Sequence, residues 1–384
     1  QHGQTKPFDT IALDPPIGSG PYVVQTVEPG KRVVYRKQQQ YWGASQATRK
    51  GQFNFDVIDI AYFREPFAQL QALQSGQLDL LEEPSPERWR RAFAGARFDS
   101  GQLMKSELLH SNAHGLKGLF FNTRRADLQD PRVRQAIRLL FPFEAINQQF
   151  FFGQLEQTVS FFTNTRFANP TLTAARLSHR DRKRQALAKL AEAGWQPKQG
   201  KLMNREGRAL SLEILIAEAH FQRTLSPFIA SLQSIGIAAS MRLVDPSLYR
   251  HRLNQRQFDL VAHWMLTSQS PGQELYFRFS SDTAKTAGTE NISGIADPDI
   301  DQTIQQLIAA TGEPQRIAEA HRLDALLNRH AIAIGLWHDR QHRIAHALNL
   351  KFPETRPLYY AAESWLMTTG WWDPMQTSKG VSPQ

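Results

Sequence analysis

Three histidines, His338, His342 and His346, recur at intervals of four residues. The segment His338-Asp339-Arg340-Gln341-His342 has the spacing with which a zinc-protease helix offers two imidazoles to one metal ion. That chemistry also needs a glutamate directly after the first histidine as general base, and Asp339 stands there instead. The preceding run Ala331-Ile332-Ala333-Ile334 reads as a strand, and even intervals along a strand share a face too. The trio supports a histidine-dependent metal-binding protein or metallohydrolase as an alternative reading. Two glycine-rich stretches invite a phosphate-loop reading and fail it. Gly18-Ser19-Gly20 is followed by Pro21 and a β-prone run, whereas a phosphate loop must open a helix. Gly194 to Lys201 spaces its glycines one residue too far apart, and Leu202 stands where a metal-binding hydroxyl is needed. There is no Gly-x-Ser-x-Gly elbow, and the absence of cysteine removes thiol nucleophiles, cysteine-ligated zinc and iron–sulfur clusters.

The elements that would carry such residues alternate along the chain. Tyr22-Val23-Val24 leaves the first turn as a strand, Glu28-Pro29-Gly30-Lys31 turns it, and Val33-Val34-Tyr35 completes a hairpin. Phe55 to Phe63 is a half-buried strand by its pattern. Phe67, Leu70 and Leu73 share a helical face that Gly76 ends, and Leu78 to Leu81 is a short buried strand. Asp130-Pro131 caps a helix whose stripe is Val133, Ile137 and Leu140. Leu187, Leu190 and Ala191 mark a helix stopped at Gly194. A strand follows at Leu212–Ile216, then a helix at Phe228–Ser234 before Gly236, and a strand at Phe258–Met265. Helices at Asp301–Ala310 and Gln315–His330 precede a strand at Ile332–Trp337. The alternation predicts an α/β protein.

At 384 residues the chain is long for one domain at about 150 residues each, and it should bury roughly three quarters of its unfolded surface. Lys and Arg outnumber Asp and Glu by 45 to 36, so an anionic partner has to be considered. The densest basic run, His179-Arg180-Asp181-Arg182-Lys183-Arg184, reads as a solvated helix start. No helix-turn-helix pattern supports nucleic acid as a partner, and no apolar run approaches the ~18 residues of a membrane span. The first residues, Gln1 to Pro7, lack the apolar centre of a secretion signal.

The order of several short motifs is more specific. Gly18-Ser19-Gly20-Pro21-Tyr22, Tyr41-Trp42-Gly43 and Ala72-Leu73-Gln74-Ser75-Gly76-Gln77-Leu78-Asp79 are followed by Phe121-Asn122-Thr123 and Asp130-Pro131-Arg132-Val133-Arg134-Gln135-Ala136. Ala193-Gly194-Trp195, Ile235-Gly236-Ile237 and Phe258-Asp259-Leu260 complete the series. In this order the chain resembles the family 5 solute-binding proteins of peptide/nickel-type ABC transporters. Gly51 to Asp56, Phe151-Phe152-Gly153-Gln154 and Trp371-Trp372-Asp373 bring it nearest the Yej-type (YejA-like) oligopeptide branch. The resemblance implies an α/β, two-lobed periplasmic-binding-protein-like fold of type II, peptide-binding class, with the first lobe incomplete. Residues 1–113 would be its remnant, 114–341 the second lobe, and 342–384 the return segment. With the rest of that lobe missing, the strands at Tyr22–Val24 and Val33–Tyr35 are expected to have unpaired edges.

Functionally the resemblance implies a non-catalytic, periplasmic, monomeric component of an ABC importer. It would bind an oligopeptide or peptide-like ligand without a cofactor and hand it to a permease in the inner membrane. The implied ligand-binding residues are Glu83, Trp89, Asn122, Tyr249, His263, Trp264, Met265 and Thr267. His263 and Met265 match positions whose backbone groups hold an extended peptide, while the Trp264 ring reads first as a core aromatic. Tyr249 would present an aromatic ring to the ligand. Glu83 would meet a cationic group or stand as an exposed loop carboxylate. Trp89 completes the set, and Asn122 either lines the site or satisfies backbone groups near a hinge. Thr267 stands where family members place an aspartate against the peptide's α-ammonium. A threonine accepts a hydrogen bond but brings no charge, so peptides with blocked N-termini, or other polar ligands, are expected as readily as free peptides.

Overall fold

The computed structural model describes residues 18–174 and 177–376, so Gln1 to Pro7 lie outside the described residues. The chain divides into two compact units, Gln1–His110 with Gln341–Gln384, and Ser111–Arg340. Among the described residues no helix is long and apolar enough to cross a membrane.

In the first unit, Tyr22–Glu28, Arg32–Lys37 and Val57–Ala61 form an antiparallel sheet in sequence order. Arg32–Lys37 is its central strand, paired on both sides, so the edge expected at Val33–Tyr35 does not exist. A second sheet places Gln341–Ala347 between Leu80–Glu82 and Leu103–Leu109, antiparallel to both. The helix Pro66–Ser75 ends as anticipated, with Gly76 at φ 82°, a conformation that costs glycine little. It buries Leu70 and Leu73 against Leu81, Trp89, Phe93 and Leu103.

In the second unit the sheet order is Ala238–Leu243, Ser211–Ile216, Leu260–Met265, Leu116–Phe121, Ala333–Gly335. The first three strands are parallel, and Leu116–Phe121 runs against both of its neighbours. Strand alternation sends Leu119, Phe121, Leu260 and Ala262 into one apolar layer, and Leu116, Phe120, Val261 and Met265 into the other. Leu119, Phe120 and Phe121 have no exposed surface, which is worth about 2 kcal/mol each. Helices cover both faces. Asp130 accepts from the Arg132 amide to start Pro131–Leu139, which lays Val133 and Ile137 on the first layer. Pro298–Ala309 and Glu313–Arg329 lie on the second, with Ile300, Ile304, Leu323 and Leu327 buried.

Three local expectations change. The basic run does open a helix, His179–Glu192, capped by Ser178, but Arg182 turns inward. It donates to the carbonyls of Leu177 and Phe141 and to the Glu144 carboxylate. Ala191, assigned to that helix's apolar stripe, is exposed. The anticipated strand Ile332–Trp337 is broken: Ala333–Gly335 joins the large sheet, whereas Trp337–His338 pairs with Glu156–Gln157. Gly194 to Lys201 forms no phosphate loop. Gln199 and Gly200, at φ 53° and 75°, make the two-residue turn of a hairpin between Gln196–Lys198 and Lys201–Met203.

Candidate functional site

In α/β sheets ligands bind beyond the carboxyl ends of the parallel strands, so the residues there come first. In the second unit these ends are Ile216, Leu243 and Met265, beside the beginning of the opposed strand at Leu116. Lys117 and Trp264 are register partners at this end and project onto the same face as Leu119 and Ala262. The Lys117 ammonium lies 5.5 Å from the centre of the Phe221 ring and 6.0 Å from that of Trp264. Burial lowers its pKa from the ordinary lysine value, and Glu218 pulls in the opposite direction. Trp264 is 46% exposed, contrary to its expected place in the core. Its Nε1 donates to the His114 carbonyl at 2.8 Å, and its ring lies 4.9 Å from that of His114. The indole is thus pinned at one edge with part of its surface open.

His263, Met265 and Tyr249 sit on the other face. Met265 is buried. The Tyr249 hydroxyl donates to the Ala262 carbonyl at 2.6 Å and lies 3.3 Å from His263 Nδ1. With its single proton spent on the carbonyl, that hydroxyl is an acceptor for an Nδ1–H tautomer of His263. Burial raises the Tyr249 pKa, and burial pushes His263 down to about 4. Arg278 and Arg250 also disfavour the imidazolium, against Glu290, and the Phe120 ring packs 5.9 Å away.

The sign of the pH effect follows. As pH falls below the ordinary 6.5, the unfolded chain takes up a proton that folded His263 refuses until about pH 4. The stability contributed by neutral His263 is present above pH 6.5 and lost on the way down, by about 3 kcal/mol at full protonation. His263→Gln should therefore flatten the fall of melting temperature between pH 7 and pH 5. Identical slopes in the two proteins would show that His263 does not titrate abnormally.

The hydrogen-bond phase of the Leu260–Met265 strand shifts the backbone role. The Asn122 amide donates to Asp259 O at 2.9 Å, so every second residue from Asp259 exchanges bonds with the Leu116–Phe121 strand. Those residues are Val261, His263 and Met265. Ala262 and Trp264 aim their backbone groups the other way, where Ser211–Ile216 pairs only with Leu260 and Val261. An added strand would meet Trp264 there, not His263 or Met265. Thr267 follows the strand end, half-buried.

The remaining candidates are committed to structure. Glu83 lies in the loop after Leu80–Glu82 but is buried rather than exposed. It accepts from Arg88 Nε at 2.9 Å, Arg88 Nη2 at 2.8 Å and the Ser85 amide at 2.6 Å. Trp89 is 1% exposed, and its Nε1 donates to Glu107 at 2.7 Å. Asn122 Nδ2 donates to the carbonyls of Arg256 and Phe258, so it takes the backbone-satisfying role.

The three histidines do not converge. His338 belongs to the second unit, near Thr158 and Glu156. His342 and His346 share a strand of the first unit. The nitrogens of His342 face Glu82 Oε1 at 2.7 Å and Tyr360 O at 3.1 Å; those of His346 face Ser106 Oγ at 3.1 Å and Ala347 O at 2.9 Å. Among the described residues no group of three or more metal-ligating side chains is assembled. The even spacing of His342 and His346 is that of one strand, and His338 lies on another.

Lys117, Phe221 and Glu218 were not anticipated. Their one sequence signal was a lysine inside the apolar run Leu116-Lys117-Gly118-Leu119-Phe120-Phe121.

Residues 3–287 match the sequence profile of the bacterial extracellular solute-binding proteins, family 5 middle region. The chain is 29% identical over 399 residues to a putative binding protein of Brucella melitensis, covering 96% of this chain and 64% of that protein. It is 28% identical over 389 residues to a probable peptide-binding protein, YejA, of Agrobacterium fabrum, covering 93% and 63%. The chain thus spans less than two thirds of the length of these curated relatives. NikA from Brucella suis, solved in complex with Fe(III)-EDTA, superimposes with a TM-score of 0.69 at 19% identity, covering 92% of this chain and 66% of that one. The fold is the α/β type II periplasmic-binding-protein fold.

Proposed function

The chain belongs to the bacterial extracellular solute-binding proteins of family 5, and we propose that it is the periplasmic binding component of an ABC importer for oligopeptides or peptide-like ligands. In this reading it performs no catalysis and delivers its ligand to an inner-membrane permease. The observation that carries the peptide assignment is the strand end at Trp264. There the Leu260–Met265 strand runs past its parallel neighbour with backbone groups aimed outward, next to a half-open indole. An extended peptide can add there as a further strand. The peptide-binding name of the Agrobacterium relative supports the same ligand class. Thr267, an uncharged residue just beyond the strand, fits ligands with either a free or a blocked N-terminus.

Calorimetric titration of the 384-residue chain with pentaalanine, its N-acetylated form and Fe(III)-EDTA tests the reading. Both peptides should bind, with affinities within about threefold of each other, and the chelate should not. Binding of the chelate with no response to either peptide would replace the peptide assignment by a metal-chelate one.

A further inference from the structure

We propose that Lys117 anchors a carboxylate of the bound ligand, using the Phe221 and Trp264 rings as the walls of its seat. The inference rests on the peptide-binding reading and adds to it a charge requirement.

Lys117 is a partly desolvated cation at the strand end whose surroundings leave it work to do. Its stem leaves the Leu116–Phe121 strand opposite Trp264, and its ammonium reaches over Phe221, itself 3% exposed. Ring faces attract a cation but accept none of its N–H bonds in the ordinary sense. Among the described residues no hydrogen-bond acceptor or carboxylate lies within bonding reach of Nζ. Glu218 is near enough to be felt, not near enough to pair. A partly desolvated ammonium with no partner among the described residues gains most from an anion that supplies both charge and acceptor oxygens.

The walls narrow the choice of anion. Trp264 gives its N–H to His114, so its free surface is apolar. A compact, heavily hydrated anion would waste that surface, whereas a carboxylate on a hydrocarbon frame uses both. A peptide strand paired to the outward backbone groups of Trp264 would lie two strand spacings, about 10 Å, from the Lys117 strand, with the Leu260–Met265 strand between them. The Lys117 side chain bridges that gap because it projects on the same face as the Trp264 ring and reaches toward it. The carboxylate can be the C-terminus of the peptide or an acidic side chain within it.

The experiment titrates the full chain with four probes: pentaalanine, pentaalanine C-terminal amide, and the amidated peptides Ala-Ala-Glu-Ala-Ala and Ala-Ala-Gln-Ala-Ala. The wild-type protein should prefer the free acid over the amide, or the Glu peptide over the Gln peptide, by about ten- to a hundredfold. The first preference assigns the terminal carboxylate and the second a side chain. Lys117→Met keeps an unbranched apolar stem and should abolish that preference while leaving the probes that lack a carboxylate bound as before. Lys117→Arg should keep it. The melting temperature of Lys117→Met should be unchanged or higher, since no internal partner is lost. Peptides bound with no preference for carboxylate, or equal losses for all four probes in Lys117→Met, would overturn the anchor and leave the peptide reading intact. Failure of every probe to bind would overturn both.

Discussion

Gly335→Ala should lower the melting temperature of the second unit by about 8–16 °C. Gly335 faces Gly118 in the antiparallel pair of Ala333–Gly335 with Leu116–Phe121. A Cβ built on Gly335 would overlap the Thr158 carbonyl oxygen and stand 2.7 Å from its carbon. Backbone cannot give way as a flexible side chain does. The Thr158 amide is bonded to Leu336 O, and just beyond it Ser160 and the Phe161 amide are tied to the buried Asp324 carboxylate. Relief requires either strand or loop to move as a block. Such overpacking belongs to the class of substitutions costing about 4 kcal/mol or more, and each kcal/mol is worth about 2–4 °C in a domain of this size. Gly272→Ala is the control. Its Cβ would meet only the end of the Glu274 side chain, at 3.8 Å, and its backbone lies outside the left-handed region. Thermal unfolding followed by circular dichroism compares the three proteins. A Gly335→Ala transition within about 2 °C of wild type would mean that Thr158 is held less firmly than its bonds imply.

What could be read from the sequence was what neighbouring residues decide. Asp130-Pro131 starts a helix because a carboxylate next to a proline satisfies an end amide and presets φ, and Gly76, Gly194 and Gly236 end helices by taking positive φ. What depends on distant partners was less legible. Leu116–Phe121 is an interior strand of the large sheet, yet Lys117 and Gly118 break its apolar run, and both make sense only beside Trp264 and Gly335. Gln341–Ala347 carries His342, Arg343 and His346 into a core because strands more than 200 residues earlier supply their partners. The helix Pro246–Asn254 offers only Tyr249 and Leu253 to the core, both partly buried, which is too short a stripe to stand out in the sequence. The candidate site was half legible for the same reason. Strand position placed Trp264 at the end of its strand, but whether an indole there is covered depends on what packs over it. Glu83 and Arg88 were both visible, but their pairing needs the turn through Pro84 and Ser85.

Gly115→Ala should disrupt the candidate site directly, and two separable causes contribute. Gly115 has φ +74°, which costs an L-residue about 1–2 kcal/mol. Its Cβ would also overlap Met265 O and come within 2.8 Å of the Thr267 amide nitrogen and 3.0 Å of Leu266 C. The colliding atoms are the backbone of the strand end that carries Trp264 and leads to Thr267. Two residues after Gly115, on the Leu116–Phe121 strand, lies Lys117. Together the strain and the collision should cost about 3 kcal/mol or more, lowering the melting temperature by about 6–12 °C. Hydrogen exchange locates the damage. Amides between His114 and Lys117 and between Met265 and Thr267 should lose protection, whereas those of Pro298–Ala309, a helix elsewhere in the same unit, should keep theirs. Gly115→Asn separates the causes, since asparagine tolerates positive φ better than alanine but brings the same Cβ. If collision dominates, asparagine should recover only about 1 kcal/mol of the loss. Full recovery by asparagine would assign the requirement for glycine to backbone conformation alone, and the close packing of Gly115 on Met265 and Thr267 would then carry no weight in shaping the site.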